Sequence, residues 1–345
     1  MSLGEGETPL VKLDNLSKKL GLQLYAKAEY QNPTGSFKDR GMSVGVSIAL
    51  SFGYRAVISA STGNTAASMS SYARKASLTP LVVLPRGKVA RGKSSQIASL
   101  GARVIEIEGT FDNAIEVVLR ASETSLAYPL NSFNPYRLEG QKTIGFEIAE
   151  ELGENVDFVI APVGNAGNIS AIWKGFRESP LLGLGRPSPR MIGVQAEGAS
   201  PIVEAWMRGD NVVRPIKYPE TIASAIRIGS PVNGYKAIQA VRESRGAMVA
   251  VSDSEILESM VMLSREEGIL VEPASAASLA GLAKLKRMGA VRDGSIVVLI
   301  LTGHGLKDPD ALNYLASAWL ERRSEPLVAR SVDEALQKVS HYATL

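Results

Sequence analysis

The sequence contains no cysteine and only two histidines. The absence of cysteine excludes disulfides, thiolate nucleophiles, cysteine-ligated zinc and iron–sulfur clusters. His304 and His341 are too few for a histidine-rich metal site or a two-histidine mechanism. If the protein is an enzyme, its chemistry therefore depends on lysine, hydroxyl or carboxylate side chains, or on a bound group.

Long apolar runs and a strong charge of one sign are also lacking. The longest apolar stretch, 296–301, is far shorter than the roughly 20 residues of a membrane helix. The first residues lack the basic and then apolar pattern of a signal peptide. The net charge of +3 is too small to indicate nucleic-acid binding. These features predict a cytoplasmic protein with neither a membrane nor a nucleic acid as partner.

Apolar runs of strand length alternate with longer helical patterns, which predicts parallel α/β structure. A length of 345 residues is typical of two domains or one large one. The predicted strands are 56–60, 81–84, 103–107, 158–163, 191–195, 247–251 and 295–301. The predicted helices are a segment ending near Lys75, then 93–100, 111–121, 169–177, 202–208, 253–267 and 331–339, with a surface loop at 181–189.

Residues 43–50 can be interpreted in two ways. Their apolar side chains alternate with period two, which favours a strand. The longer span 37–51, with Ser36 as a cap and Gly53 as a stop, favours a helix. Periodicity alone does not decide between them.

The stretch GKVARGKS at 87–94 matches the P-loop pattern of nucleotide-binding proteins, and it lies between a predicted strand and a predicted helix. However, no predicted apolar strand ends in the aspartate that would hold magnesium. Val89 and Arg91 would also crowd a phosphate. An ordinary turn is favoured, and a P-loop protein stays as an alternative of a different class.

Three loops of small residues follow predicted strands: STGNT at 61–65, GNAGN at 164–168 and TGHG at 302–305. Such loops leave backbone N–H groups free at helix N-termini, which suits a phosphate group. Each loop alone is no more than a tight turn. Together with Lys38 in NPTGSFKDR at 32–40, they predict an anion site with one lysine.

These motifs resemble those of the fold-type II pyridoxal-phosphate enzymes, the tryptophan synthase β-like family, from residue 4 to about 309. The resemblance implies two open twisted α/β domains with the cofactor in the cleft between them, and a homodimer. It implies a large domain (1–31 plus 131–320), a smaller inserted mobile domain (32–130) and a helix after Lys38. The region after Leu320 is itself typical of an appended helical tail (321–345).

The resemblance also implies roles for individual residues. Lys38 would form the Schiff base with pyridoxal 5'-phosphate, Asn64 would contact the phenolic oxygen of the ring, and Thr302 would face its pyridine nitrogen. The cofactor phosphate would lie in a cup of five residues: Gly164, Asn165, Ala166, Gly167 and Asn168.

Four stretches resemble the family members that convert O-phospho-L-homoserine and water to L-threonine and phosphate, by γ-elimination and β-addition of water. These are GEGETPL at 4–10, NSFNPYRLEGQK at 131–142, GNAGN at 164–168 and TGHGLKD at 302–308. The implied function is that of a lyase in threonine biosynthesis. The substrate carboxylate would be held by Ser61, Thr62 and Thr65, and the leaving phosphate by Asn131, Ser132 and Arg137.

A threonine or serine dehydratase is the nearest alternative, and a phosphoserine-dependent sulfur-transfer enzyme is a weaker one. A dehydratase needs no basic pocket for a second phosphate, so Arg137 is the discriminating residue. His304 is interpreted as a structural turn residue. The stretch EPAS at 272–275 resembles a loop flanking the cofactor ring, and Glu272 is given no catalytic role.

Overall fold

The computed structural model describes residues 1–87, 97–320 and 328–343. The chain divides into two compact units, 1–307 and 308–345. Within the described ranges, no helix combines the length and the apolar character that a membrane crossing needs.

The strands of the described residues form two sheets, one six-stranded in the order β1-β2-β10-β7-β8-β9 and one four-stranded in the order β5-β4-β3-β6. Every neighbouring pair is parallel except β1 with β2. The strands are β1 (Leu10–Lys12), β2 (Gln23–Lys27), β3 (Ala56–Ala60), β4 (Thr79–Pro85), β5 (Arg103–Ile107), β6 (Tyr128–Pro129), β7 (Phe158–Pro162), β8 (Arg190–Ala196), β9 (Ala247–Val251) and β10 (Ile296–Ile300).

The helices of the first compact unit lie against these two sheets and against one another, and the described residues of the second unit contain two further helices. In chain order, the helices of the described residues are α1 (Asp14–Leu20), α2 (Lys38–Ser51), α3 (Asn64–Lys75), α4 (Phe111–Glu123), α5 (Tyr136–Gln141), α6 (Thr143–Leu152), α7 (Gly167–Glu178), α8 (Pro201–Met207), α9 (Gly234–Glu243), α10 (Asp253–Glu266), α11 (Pro273–Arg287), α12 (Pro309–Leu320) and α13 (Val332–Ala343).

The central strands of the six-stranded sheet are apolar on both faces, as expected of buried parallel strands. In β10, Val298 pairs with Val159 of β7 and with Tyr25 of β2. The side chains of β7 and β10 pack with those of α6, α7 and α9 in one apolar core. The four-stranded sheet has two smaller apolar clusters.

The predicted parallel α/β fold is confirmed, and each of the seven predicted strands is present with ends within two residues. Strands β1, β2 and β6 were not predicted, because they are short or contain polar residues and proline. The predicted loop 181–189 is irregular apart from a short 3₁₀ turn at Ser179–Leu182. The P-loop-like stretch 87–94 lies outside the described residues apart from Gly87.

The segment with two interpretations is a helix, α2. Met42, Val46 and Ala49 share its buried face, at the spacing of successive helical turns. The hydroxyl of Ser47 donates to the carbonyl oxygen of Ser43 (2.8 Å), so a polar residue is satisfied within the helix. Ser36 does not cap this helix, and its buried hydroxyl has no partner among the described residues.

Helices α2 and α5 cross at very short distance because glycines lie at the contact. A Cβ at Gly140 would overlap the carbonyl oxygen of Arg40, and one at Gly41 would come within 2.9 Å of the carbonyl oxygen of Arg137. The crossing brings the first turn of α2, which contains Lys38, next to the first turn of α5, which contains Arg137.

A buried ionic network fixes the start of α2. The Arg40 guanidinium donates to both carboxylate oxygens of Glu29 (2.7 Å each) and also pairs with Glu147 of α6. Burial alone would raise the pKa of Glu147, but hydrogen bonds from Arg40 and Lys27 lower it to about 2. Because these charges are paired, the turn after Lys38 has little freedom to move.

The second unit contains α12 and α13. The predicted helix 331–339 corresponds to α13, which Ser331 begins by accepting a hydrogen bond from the backbone of Glu334 (3.2 Å). An ion pair between Glu334 and Lys338, one turn apart, follows on the exposed surface (2.7 Å).

We expect Gly140→Ala to destabilise the protein by about 3 kcal/mol or more. The added methyl group would overlap the backbone carbonyl oxygen of Arg40, and the ion pairs of the Arg40 side chain hold this residue in place. Gly289→Ala is the control, since Gly289 has φ +71° and open space around its Cα. We expect Gly289→Ala to lower the free energy of unfolding by about 1 kcal/mol, because alanine must adopt the left-handed backbone conformation there. Urea denaturation measures both values, and equal values would contradict the close crossing.

Candidate active site

The candidate site forms around the turn that follows β10, residues 302–304. On one side the turn pairs with the segment before α2: Phe37 N–H donates to Thr302 O (3.1 Å) and His304 N–H donates to Gly35 O (3.0 Å). On the other side Glu272 N–H donates to Gly303 O (3.0 Å). The turn therefore sets the position of Lys38 relative to the start of α11.

Lys38 is the first residue of α2 and is half-buried. Its Nζ lies 3.9 Å from the centroid of the Phe37 ring. Burial and the positive charge of Arg137 lower the pKa of Lys38 to about 7, while the carboxylate of Glu272 opposes the shift. Near neutral pH a large fraction of this amine is uncharged, as a nucleophilic lysine requires.

The predicted loop 61–65 joins β3 to α3. Ser61 Oγ accepts a hydrogen bond from the backbone of Gly63 (3.2 Å), and Asn64 begins the helix. The side-chain nitrogen of Asn64 donates to the Glu272 carboxylate, at 3.1 and 3.0 Å from its two oxygens. Ser61, Thr62 and Thr65 are half-buried beside it, so their hydroxyls remain accessible.

The predicted phosphate cup, 164–168, joins β7 to α7. Ala166 has the left-handed φ of +66°, and α7 starts at the next residue with unpaired N–H groups at its N-terminus. Asn168 is buried, yet neither its amide oxygen nor its amide nitrogen has a partner among the described residues. A buried amide without partners beside a helix N-terminus indicates a place for a polar, anionic group.

Thr302 is buried at the end of β10, and its hydroxyl lies 3.0 Å from that of Ser275 in α11. Ser275 Oγ also accepts a hydrogen bond from Gly303 N–H (2.7 Å). Ser275 therefore holds the threonine that was predicted to face the pyridine nitrogen. Sequence reasoning gave Ser275 no role, because only the fold brings α11 to this turn.

Arg137 is buried at the start of α5, where its Nη1 donates to Leu130 O (3.1 Å) and its Nε has no partner among the described residues. No carboxylate of the described chain forms an ion pair with it, and burial lowers its pKa to about 10. A buried guanidinium without a counter-ion is costly, so this position favours an anion.

Asn131 and Ser132 precede α5. The Asn131 amide pairs with both backbone groups of Ala60, accepting from its N–H (3.0 Å) and donating to its C=O (3.0 Å). This fixes the end of β3 and leaves one amide N–H of Asn131 available. Ser132 is half-buried, and its carbonyl oxygen accepts from the side chain of Asn233 (3.0 Å).

The residues present fit pyridoxal phosphate. The lysine has a lowered pKa, the unpartnered Asn168 amide lies in a cup suited to a phosphate, and a buried threonine lies at the end of a central strand. The cup also begins with a glycine, Gly164, that has little room for a side chain. A Cβ at this position would lie 3.1 Å from the Cα of Ile226.

Comparison with known proteins agrees with this geometry. The family model described as pyridoxal-phosphate dependent enzyme matches residues 1–303, and the chain belongs to this family. It is similar to the threonine synthase of Methanocaldococcus jannaschii, with 54% identity over 90% of this chain and 77% of that protein. It is similar to the threonine synthase of Mycobacterium tuberculosis, with 50% identity over 90% of this chain and 84% of that protein.

Solved structures share the fold at lower identity. The processed form of threonine deaminase isoform 2 from Solanum lycopersicum superposes with a TM-score of 0.77 and 24% identity, over 91% of this chain and 84% of that chain. Maize serine racemase superposes with a TM-score of 0.77 and 22% identity, over 93% of this chain and 94% of that chain. The predicted fold-type II architecture is thereby confirmed, and the family match confirms the predicted cofactor.

We expect Arg137→Met to raise the pKa of Lys38 above about 7, because the substitution removes a neighbouring positive charge. The pH dependence of Lys38 acetylation in the protein freed of cofactor, followed by mass spectrometry, measures this pKa. Arg120→Met is the control, since Arg120 pairs with Glu116 on the exposed face of α4. An inflection near the ordinary lysine value of 10.5 in the unmodified sequence would contradict the lowered pKa.

Proposed function

We propose that this protein is a threonine synthase, a pyridoxal-phosphate-dependent lyase that converts O-phospho-L-homoserine and water to L-threonine and phosphate. The observation that carries the proposal is the buried Arg137, without a carboxylate partner among the described residues, beside Lys38. About 50% identity to proteins of that name over 90% of the chain supports it.

Lys38, Asn64, Thr302 and the cup 164–168 would hold the cofactor. When bound, the cofactor supplies the electron sink that stabilises negative charge on substrate carbon, which protein side chains cannot do. Thr302 would offer a hydroxyl and no carboxylate to the ring nitrogen. We assign to it a mild electron withdrawal that suits elimination and replacement chemistry.

The substrate carboxylate would bind at the start of α3. The hydroxyls of Ser61, Thr62 and Thr65 and the free N–H groups of the first helical turn are the donors there. Carboxylate binding at this point would orient the α-carbon toward Lys38.

The substrate phosphate would bind at Arg137, which offers a planar and permanently charged group. Ser132 would add its hydroxyl, and Asn131 the amide N–H that Ala60 does not use. The substrate of a dehydratase has no phosphate that could pair with this buried cation. Arg137 therefore favours a phosphorylated substrate over the dehydratase alternative.

Lys38 Nζ, which is neutral in part near pH 7, would accept the α-proton of the substrate and then serve in the β-proton transfer. Arg137 would stabilise the phosphate as its bond to the γ-carbon breaks. Water then adds at the β-carbon. The site would have to exclude water until this last step, so we propose that the smaller domain (32–130) closes on the larger one (1–31 plus 131–320).

The finer organisation also belongs to this proposal. The four-stranded sheet lies wholly within 32–130 and the six-stranded sheet wholly outside it, which supports the two-domain division. We keep the helical tail at 321–345, within the second compact unit, which begins at residue 308. We propose a homodimer in the cytoplasm, as in the family that the motifs resemble.

Product analysis tests the function. With O-phospho-L-homoserine as substrate, we expect threonine and phosphate in equal amounts, detected by chromatography and ³¹P NMR. With L-threonine as substrate, we expect little turnover. Ammonia and 2-oxobutanoate as the main products would contradict the proposal and favour the dehydratase.

Arg137→Met should lower kcat/KM for O-phospho-L-homoserine by about 100-fold or more, because two charge-assisted hydrogen bonds to phosphate are lost. The visible absorption of the cofactor-loaded protein should persist. Arg120→Met serves again as the exposed control and should keep the activity. Unchanged kinetics in Arg137→Met would refute the phosphate role.

A further inference from the structure

Glu272 is a buried carboxylate beside the site for which the reaction above has no use. It precedes α11 and is 6% exposed. Its backbone N–H is bound to Gly303 O, and its carboxylate lies against the Cα of Gly303, where a Cβ would overlap it. The backbone on both sides therefore fixes where this carboxylate lies.

Helix capping does not explain the carboxylate. Glu272 occupies the N-cap position of α11, where an acidic side chain commonly accepts from the first N–H groups of the helix. Its side chain makes no such hydrogen bond. The carboxylate instead accepts from the side-chain nitrogen of Asn64, 208 residues earlier in the chain.

This contact decides how the Asn64 amide is turned. A carboxylate can only accept hydrogen bonds, so the nitrogen of Asn64, and not its oxygen, must face Glu272. With the nitrogen held at 3.1 and 3.0 Å from the two carboxylate oxygens, its second N–H has a fixed direction. Asn64 can then present a donor, and not an acceptor, to a ligand oxygen.

The other charged groups nearby agree with this role. Glu272 attracts both Lys38 and Lys307. The Asp39 carboxylate accepts instead from Thr34 Oγ1 (2.6 Å) and from Ser68. The Glu272 carboxylate thus accepts hydrogen bonds from Asn64 and also attracts the Lys38 amine electrostatically.

We propose that Glu272 is a positioning residue that fixes the orientation of the Asn64 amide, so that an N–H of Asn64 faces the oxygen of the cofactor ring. The inference rests on the cofactor contacts assigned above and does not involve the amino-acid substrate. Because its test uses no substrate, a failed product analysis would leave it standing.

Glu272→Gln tests the proposal with a side chain of the same shape. Glutamine can donate as well as accept, so the Asn64 amide is free to turn its oxygen to the cofactor. We expect the dissociation constant for pyridoxal phosphate, from titration of the full chain, to rise about tenfold, as for one lost charge-assisted hydrogen bond. The visible absorption maximum of the loaded protein should also shift.

Glu255→Gln is the matched control. Glu255 closes the capping box at the start of α10, so its loss should lower the melting temperature without moving the dissociation constant or the absorption band. The proposal would be overturned if Glu272→Gln kept both the dissociation constant for pyridoxal phosphate and the absorption maximum of the wild type.

A double variant separates positioning from simple packing. In Asn64→Asp with Glu272→Gln the contact forms again with reversed polarity, because the aspartate accepts from the glutamine. We expect the melting temperature of the cofactor-free protein to recover relative to Asn64→Asp, while the dissociation constant and the band stay altered. Recovery of all three would show a purely structural contact and would overturn the proposal.

Discussion

The close crossing of α2 and α5 is the constraint on which the site depends. Gly41 and Gly140 let two backbones approach at a distance that no side chain would allow. Burial lowers the pKa of Lys38, and the crossing brings Arg137 close enough for its positive charge to lower this pKa further. One packing contact thus places a partly neutral amine next to a permanent cation.

The balance of charge around this crossing determines which ligands the site can accept. Arg137 and Lys307 bring positive charge, and Glu272 is the carboxylate that attracts both Lys307 and Lys38. The unpartnered amide of Asn168 adds a second place that favours an anion. Two positions that each favour an anion, together with one nucleophilic lysine, fit a phosphorylated cofactor and a phosphorylated amino-acid substrate.

Much of this could be predicted from the sequence, and the exceptions have physical reasons. Small-residue loops after apolar strands predicted that Asn64 and the cup would each follow the carboxyl end of a strand, where open α/β sheets bind their ligands. The ambiguous helix α2 needed the family resemblance, since its glycines and serines weaken the helical pattern. The resemblance placed 272–275 in a loop flanking the cofactor, but the contacts of Glu272 with Asn64 and of Ser275 with Thr302 could not be predicted, because these partners are distant in the chain.

The central claim is that Lys38 is the residue that binds the cofactor covalently. Borohydride reduction of the cofactor-loaded protein, followed by peptide mapping, tests it most directly. We predict one labelled peptide, with the mass of a single reduced cofactor on Lys38. A label on Lys307, the lysine whose amine donates to Thr34 O in the same loop region, or no label at all, would contradict the account.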